Sequence, residues 1–330
     1  MKTIRWGMIG CGSVAEVKSG PGFYKSHNSA LAAVASRRPE SARSFALRHG
    51  VAKAYDTIEQ LIADPDIDAV YIATPPSSHL MYSVQAANAG KHVYVEKPMA
   101  MSRDECRAIV DVCEKNGVRL FVALYRRAMP RFLKVKEWID SGLIGDVRCV
   151  RAVIHQVPEV EELSRETLPW RVKAEVAGGG KFIDWGVHML DIFDAWFGAI
   201  EEVHGIAINC AGLYDVEDTV TSTWRHASGV LGSGSWCYVC GQGQDSVEIV
   251  GSRGRIEFEF FSDKALRLVN EGGVQEANIP NPPHVQQPFI QSIVDDLNGI
   301  SPCPGNVASA VNSAWVADEV LKNYRQKNGV

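Results

Sequence analysis

Several absences narrow the chain before any motif is read. None of its 330 residues belongs to an apolar run of about 18 or more, the length a helix needs to cross a bilayer. It has no long basic run, and its net charge is −5, which argues against nucleic acid or an anionic membrane as the main partner. The eight cysteines are scattered. Cys237 and Cys240 make one C-x-x-C in a strand-like run with no second pair, and read as buried small hydrophobes in a reducing cytosol. The histidines are dispersed without ligand spacing, so no metal site is expected. Met1-Lys2-Thr3 runs straight into a strand with no signal-peptide architecture, and a cytoplasmic protein is expected. There is no repeat and no low-complexity linker.

What is present is ordinary for a globular chain, with 46% apolar and 22% charged residues. The length predicts two domains. From Thr3 to Leu124, β-rich runs (Ile4–Ile9, Leu31–Ala35, Ala69–Ala73, His92–Val95, Arg119–Ala123, and a weaker one near Ala52–Tyr55) alternate with helical stretches. Such alternation predicts a doubly wound parallel sheet of the Rossmann type over residues 1–124. Ser102 with Glu105 reads as a capping box at the start of a helix. From residue 125 to 330 the pattern changes to an α/β domain with a large open, mostly antiparallel sheet. Its runs Val220–Arg225, Val230–Tyr238, Val247–Val250, Arg255–Phe260 and Ala265–Val269 follow one another without helices. They carry Trp224, Trp236 and Tyr238, and no later helix obviously covers both faces. An uncovered apolar face predicts a homodimer or homotetramer built on this domain.

The first strand breaks into Gly10-Cys11-Gly12-Ser13-Val14-Ala15. Gly10 permits a tight turn, Gly12 lets the backbone approach a diphosphate, and the small Ala15 lets the next helix pack on the strand. The amides of Ser13, Val14 and Ala15 then open a helix whose start favours an anion. The pattern predicts a dinucleotide site. The second strand ends Ser36-Arg37-Arg38, where a carboxylate would hold a ribose 2′-hydroxyl. A hydroxyl and two guanidiniums suit a 2′-phosphate instead, so NADP is preferred, with NAD as the alternative. Thr74-Pro75 ends another strand, with His79 just beyond as either a structural residue or a neighbour of the cofactor ribose. After Glu16-Val17-Lys18-Ser19, the run Gly20-Pro21-Gly22 predicts an early end to the first helix.

Glu96-Lys97-Pro98 presents Lys97 at the carboxyl edge of the parallel sheet, where an ammonium can stabilise charge on a reacting oxygen. Gly178-Gly179-Gly180 leads into Asp184 and His188, four residues apart and so on one face of an otherwise apolar helix. Histidine titrates where proton exchange with an alcohol is useful. With Gly10-x-Gly12-x-x-Ala15, Thr74-Pro75 with His79, Glu96-Lys97-Pro98, Trp170-Arg171 and the Gly178–Asp191 segment, the chain resembles the Gfo/Idh/MocA oxidoreductase family. The resemblance spans nearly the whole chain. It implies a Rossmann domain followed by a domain whose open sheet commonly mediates oligomers, with Lys97, Asp184 and His188 in the catalytic positions. Trp185 departs from the small or aliphatic residue that many relatives carry there.

The reading is an oxidoreductase moving a hydride between a nicotinamide, NADP preferred, and a secondary hydroxyl or carbonyl of a sugar, cyclitol or related polyol. Gly10, Gly12, Ser13, Val14, Ala15, Ser36, Arg37, Arg38, Thr74, Pro75, His79, Glu96 and Lys97 are expected at the cofactor. Tyr125, Arg126, Trp170 and Arg171 are expected at the substrate, since polar substrates need directional contacts and an aromatic wall. Two other readings remain: a non-catalytic NADP-binding regulator, which need not keep the Lys97–Asp184–His188 set, and a Rossmann enzyme that recycles its cofactor internally.

Overall fold

The structure is a computed structural model that describes residues 1–329. Residues 1–129 build a six-stranded parallel sheet from β1 (Ile4–Ile9), β2 (Ser29–Ala35), β3 (Lys53–Tyr55), β4 (Ala69–Ile72), β5 (His92–Val95) and β6 (Leu120–Val122). The strand order is β3-β2-β1-β4-β5-β6. The order reverses between β1 and β4, and in such sheets the ligand crevice lies outside the carboxyl ends at that point. The connecting helices are α1 (Gly20–Lys25), α2 (Pro39–His49), α3 (Ile58–Ala63), α4 (His79–Asn88) and α5 (Arg103–Lys115). Ser102 accepts from the amide of Glu105 and caps α5 as expected, but the box does not close on Ser102: the Glu105 carboxylate accepts from the Met101 amide at 3.0 Å. Between β1 and α1 the chain makes a wide helical turn, Val14–Ser19, in which the Gly20 amide reaches the Ala15 carbonyl.

That wide turn corrects one expectation. Gly20-Pro21-Gly22 does not end a helix but opens α1, with Pro21 in the first turn, where its missing N–H costs nothing. The core beneath is aromatic. The Trp6 and Phe23 rings lie 4.9 Å apart, Phe23 and Tyr71 5.0 Å, and Tyr71 and Tyr94 4.8 Å.

The second sheet contains β7 (Val147–His155), β8 (Ile200–Ile208), β9 (Thr219–His226), β10 (Leu231–Cys237), β11 (Gln244–Gly251), β12 (Gly254–Phe258), β13 (Leu266–Asn270) and β14 (Gly273–Ala277). Its order is β14-β13-β12-β11-β7-β10-β9-β8, and only the β7–β10 pair is parallel. α6 (Pro130–Asp140), α7 (Ala174–Ala177) and α8 (Val187–Phe197) belong with it. Alternation along β7, β9 and β10 sends one set of side chains into the core. Val150, Ala152, Ile154, Val220, Trp224 and Trp236 are buried. Trp224 stacks on Phe193 of α8 at 6.1 Å, and Trp236 meets Phe182 at 4.9 Å.

The aromatic residues expected on an uncovered face are therefore core residues: Trp224 is 3% exposed, and Trp236 and Tyr238 are 0% exposed. A period of two assigns residues to a face but does not say which face is covered. The other face carries hydroxyls, ion pairs and a few exposed aliphatics. Cys237 and Cys240 are half-buried thiols rather than core hydrophobes. The Cys237 Sγ lies 3.4 Å from the Thr219 hydroxyl.

The chain then returns. By compactness the first unit is 1–129 together with 282–311, and the second is 130–281 with 312–329, whereas a single boundary at 124/125 was expected. α9 (Gln287–Leu297) packs on α1 and seats Phe289 against Tyr94 at 6.1 Å. α10 (Val307–Asn328) starts in the first unit and ends in the second.

Candidate active site

In the first unit, Gly10 has φ +101°, and a Cβ there would overlap the Ala73 carbonyl, so the turn after β1 lies directly on the end of β4. The Gly10 amide donates to Ala35 O at 2.9 Å and the Ala73 amide to Ile9 O at 2.8 Å, which fixes three strand ends around the turn. A Cβ at Gly12 would meet nothing within 4 Å, so the backbone there faces open space, as a close-approaching diphosphate requires. Ala15 is fully buried, and Ser13 is exposed. Ser36 is half-buried, and Arg37 and Arg38 are exposed beyond the end of β2. On these points the residues present fit a dinucleotide.

At the next strand end, the Ser78 hydroxyl donates to the Thr74 hydroxyl at 2.8 Å. Lys97 is half-buried, and its main-chain N–H donates to Glu96 Oε2 at 3.2 Å. The other Glu96 oxygen accepts from the Tyr71 hydroxyl and from the Gln286 amide, both at 2.6 Å. Tyr125 and Arg126 lie in a short helical turn after β6, both buried, with the guanidinium 5.7 Å from the Tyr125 ring.

In the second unit, Asp184 sits in a wide helical turn, Phe182–Gly186, that leads into α8 and His188. Arg171 Nε donates to Asp184 Oδ2 at 3.1 Å, and the same guanidinium lies 4.5 Å from the Trp170 ring. Trp170, Arg171 and Asp184 thus form one half-exposed cluster, and His188 follows one turn later, 5% exposed. Trp185 packs on Phe261 with centroids 4.4 Å apart, and Phe261 also meets the His188 ring edge-on at 6.4 Å.

Residues 4–124 match the GFO/IDH/MocA oxidoreductase family, described as carrying an NAD-binding Rossmann fold, and residues 132–257 match that family's C-terminal domain. The chain belongs to the Gfo/Idh/MocA oxidoreductase family. An oxidoreductase (P35) of Formosa agariphila is 39% identical over 96% of this chain and 97% of its own length. The myo-inositol 2-dehydrogenase of Thermotoga maritima is 29% identical over 82% of this chain and 79% of its own. A levoglucosan dehydrogenase, solved with NADH and levoglucosan, shares the fold with a TM-score of 0.85 at 23% identity, covering 98% of each chain.

Two expected cofactor contacts of this Gfo/Idh/MocA chain turn inward. His79 is 0% exposed, and its ring nitrogens lie 2.9 Å from Pro98 O and 2.8 Å from Thr74 O. It cross-links two strand-end turns, and burial lowers its pKa. The Glu96 carboxylate is likewise engaged by protein donors. Both residues stand at strand ends with their side chains turned to protein partners, which for His79 is the structural alternative.

Sequence reading also missed what lies beneath Asp184. A Cβ at Gly180 would overlap the Glu217 carbonyl, and the Gly180 amide donates to Glu217 Oε1 at 2.9 Å. Lys181 is buried and pairs with fully buried Glu162 at 2.5 Å. A lysine between three glycines and an apolar run was the available signal. Among the described residues no cluster of three or more His, Cys, Asp or Glu could hold a metal, and no helix is long and apolar enough to cross a membrane.

Burial pushes the Glu217 carboxyl up to about 7. A carboxyl raised on folding stabilises the native state below its unfolded pKa, and that contribution is lost as pH rises through about 7. Glu217→Gln keeps an oxygen for the Gly180 amide and cannot ionise. Relative to wild type, it should gain on the order of 3 kcal/mol of stability between about pH 5 and about pH 8. Parallel pH profiles in chemical denaturation would contradict this.

Proposed function

We propose that this oxidoreductase transfers a hydride between a nicotinamide, NADP preferred, and a secondary hydroxyl or carbonyl of a sugar, cyclitol or related polyol. The observation that carries the reading is the Trp170–Arg171–Asp184 cluster, brought together from two separate turns, with His188 four residues after Asp184 in the mostly apolar α8. The family, and relatives named for inositol and levoglucosan, support the substrate class. When bound, the nicotinamide would supply or accept the hydride at the carbinol carbon. His188 would exchange the proton of the substrate oxygen. Asp184 would orient and charge-balance the imidazole, and Arg171 would fix the Asp184 carboxylate through their hydrogen bond. Lys97 would stabilise negative charge on the reacting oxygen or its neighbour. Tyr125, Arg126 and Trp170 would contact the substrate. The eight free thiols are in keeping with a reducing, cytoplasmic setting.

A panel of myo-inositol, levoglucosan, glucose and their keto forms with NADP(H) and NAD(H), followed at the nicotinamide absorbance band, tests the reading. On whichever polyol turns over, His188→Ala should slow hydride transfer by on the order of 10²–10⁴ and leave cofactor affinity intact. Lys97→Met should also cripple turnover. Near-wild-type rates in both variants would remove the catalytic assignment.

Cofactor preference rests on Ser36, Arg37 and Arg38 at the end of β2. Binding titrations should show NADP(H) tighter than NAD(H). Arg37→Ala/Arg38→Ala should lose roughly 1–3 kcal/mol per charge-assisted contact for the phosphorylated cofactor alone. Equal affinities in wild type would sink the preference.

A homodimer or homotetramer remains part of the proposal, on a changed basis. The second sheet's outer face exposes Ile206 (74%), Ile208 (48%) and Leu231 (56%) in place of the aromatics. Light scattering at micromolar concentration should give a multiple of the chain mass, and Ile206→Asp/Leu231→Asp should lower it. A monomeric wild type would count against the idea.

A further inference from the structure

Gln286 enters the first unit from far along the chain, at the head of α9 in the returning stretch Pro282–Val311. It is 1% exposed, and its polar atoms are each committed. The Tyr94 hydroxyl donates to its Oε1 at 2.7 Å, which turns its amide nitrogen toward Glu96. That nitrogen donates to Glu96 Oε1 at 2.6 Å, beside the Tyr71 hydroxyl on the same oxygen. Glu96 Oε2 then accepts the main-chain N–H of Lys97 at 3.2 Å. A continuous path of hydrogen bonds therefore runs from Tyr94 through Gln286 and Glu96 to the backbone from which the Lys97 side chain departs.

The same stretch grips the other side of the cofactor turn. The Gln286 amide donates to Lys18 O at 3.2 Å, and His284 Nδ1 lies 2.8 Å from Val17 O. Both carbonyls lie at the far end of the wide turn Val14–Ser19 that follows the glycines. A glutamine fits the task because it accepts at one end and donates at the other without adding charge next to a buried carboxylate.

We propose that Gln286 is a positioning residue for Lys97, acting by holding the Glu96 carboxylate in the orientation that anchors the Lys97 main chain. This rests on the reading of Lys97 as the charge-stabilising residue. Without the Gln286 amide, Glu96 keeps one side-chain donor, Tyr71, and can turn about its terminal bond, which releases the Lys97 N–H.

Residue-resolved amide hydrogen exchange on the whole chain tests the placement without a substrate. Gln286→Met preserves size and removes both polar atoms. It should speed exchange of the Lys97 amide about tenfold while Val93 and Val95 keep their protection. Tyr94→Phe, which frees the Gln286 oxygen, should do the same to a smaller degree, and it carries the test if Gln286→Met does not fold. Unchanged Lys97 protection, or equal loss at Val93 and Val95, would overturn the proposal.

On the polyol turned over fastest in the panel, Gln286→Met should slow hydride transfer about tenfold in wild type and add nothing in a Lys97→Met background. Its affinity for NADPH should stay at the wild-type value. An equal slowing in both backgrounds marks a general structural role and overturns the positioning claim. Wild-type turnover in Lys97→Met alone would instead overturn the catalytic reading of Lys97, leaving the exchange result intact.

Discussion

Both units depend on one constraint: two backbone segments meet where no Cβ fits. At Gly10 the obstacle is the carbonyl of Ala73, and at Gly180 it is the carbonyl of Glu217. The first contact seats the turn after β1 on the end of β4, where the strand order reverses and the crevice of a parallel sheet opens. The second seats the approach to Asp184 and His188 against the chain that enters β9. Any side chain would push these segments apart, and the groups that follow them in sequence would move with them. In each unit, then, the position of the candidate working groups is set by main chain on main chain, which is stiffer than side-chain packing.

Buried ionisable groups stand beside the candidate working residues of both units. Glu96 adjoins Lys97, Glu217 lies against Gly180, and the Lys181–Glu162 pair precedes Asp184 by three residues. Such groups are a poor source of stability, since desolvation opposes the attraction they gain. Their orientation is nonetheless strict: each must meet particular donors or acceptors, and an apolar replacement would allow several packings. Their placement next to the candidate working residues fits a fold that gives up some stability for geometry at those points.

Features written locally were legible in the sequence. The glycine turn, the alternation of strands and helices and the Ser102 cap all involve residues a few positions apart, and each appears in the structure, whereas Asp184 falls in a wide turn just before the helix that carries His188. Features decided at a distance were not. β8, with Glu201, Glu202 and His204 in its first half, and β14, a five-residue edge strand with four exposed residues, have patterns that look like loops until a neighbouring strand is known. The return of 282–311 to the first unit has no local mark, so Gln286 could not be connected with Glu96. The inward turn of His79 depends on carbonyls at Thr74 and Pro98, one of them nineteen residues away. Burial of Trp224 and Trp236 needed knowledge of where α8 packs.

The outer face of the second sheet shows why an open sheet need not be a greasy one. Across it, Arg151 pairs with Glu248, Arg255 with Glu248 and Glu257, and Arg267 with Glu257 and Glu276, linking β7, β11, β12, β13 and β14. Each exposed pair adds little to stability. Together they keep a wide sheet and its β14 edge from pairing indiscriminately with other strands. A second copy laid over this ladder would have to desolvate it or match it charge for charge. At the other end, β8 to β10, the surface is Ile206, Ile208, Leu231 and the hydroxyls of Thr221 and Thr223. Desolvation is cheaper there, and the charges these strands carry at the surface, Arg225, Glu201, Glu202 and His204, already pair among themselves. The distribution of charge thus leaves the β8–β10 end of the face cheaper to desolvate than the β11–β14 end.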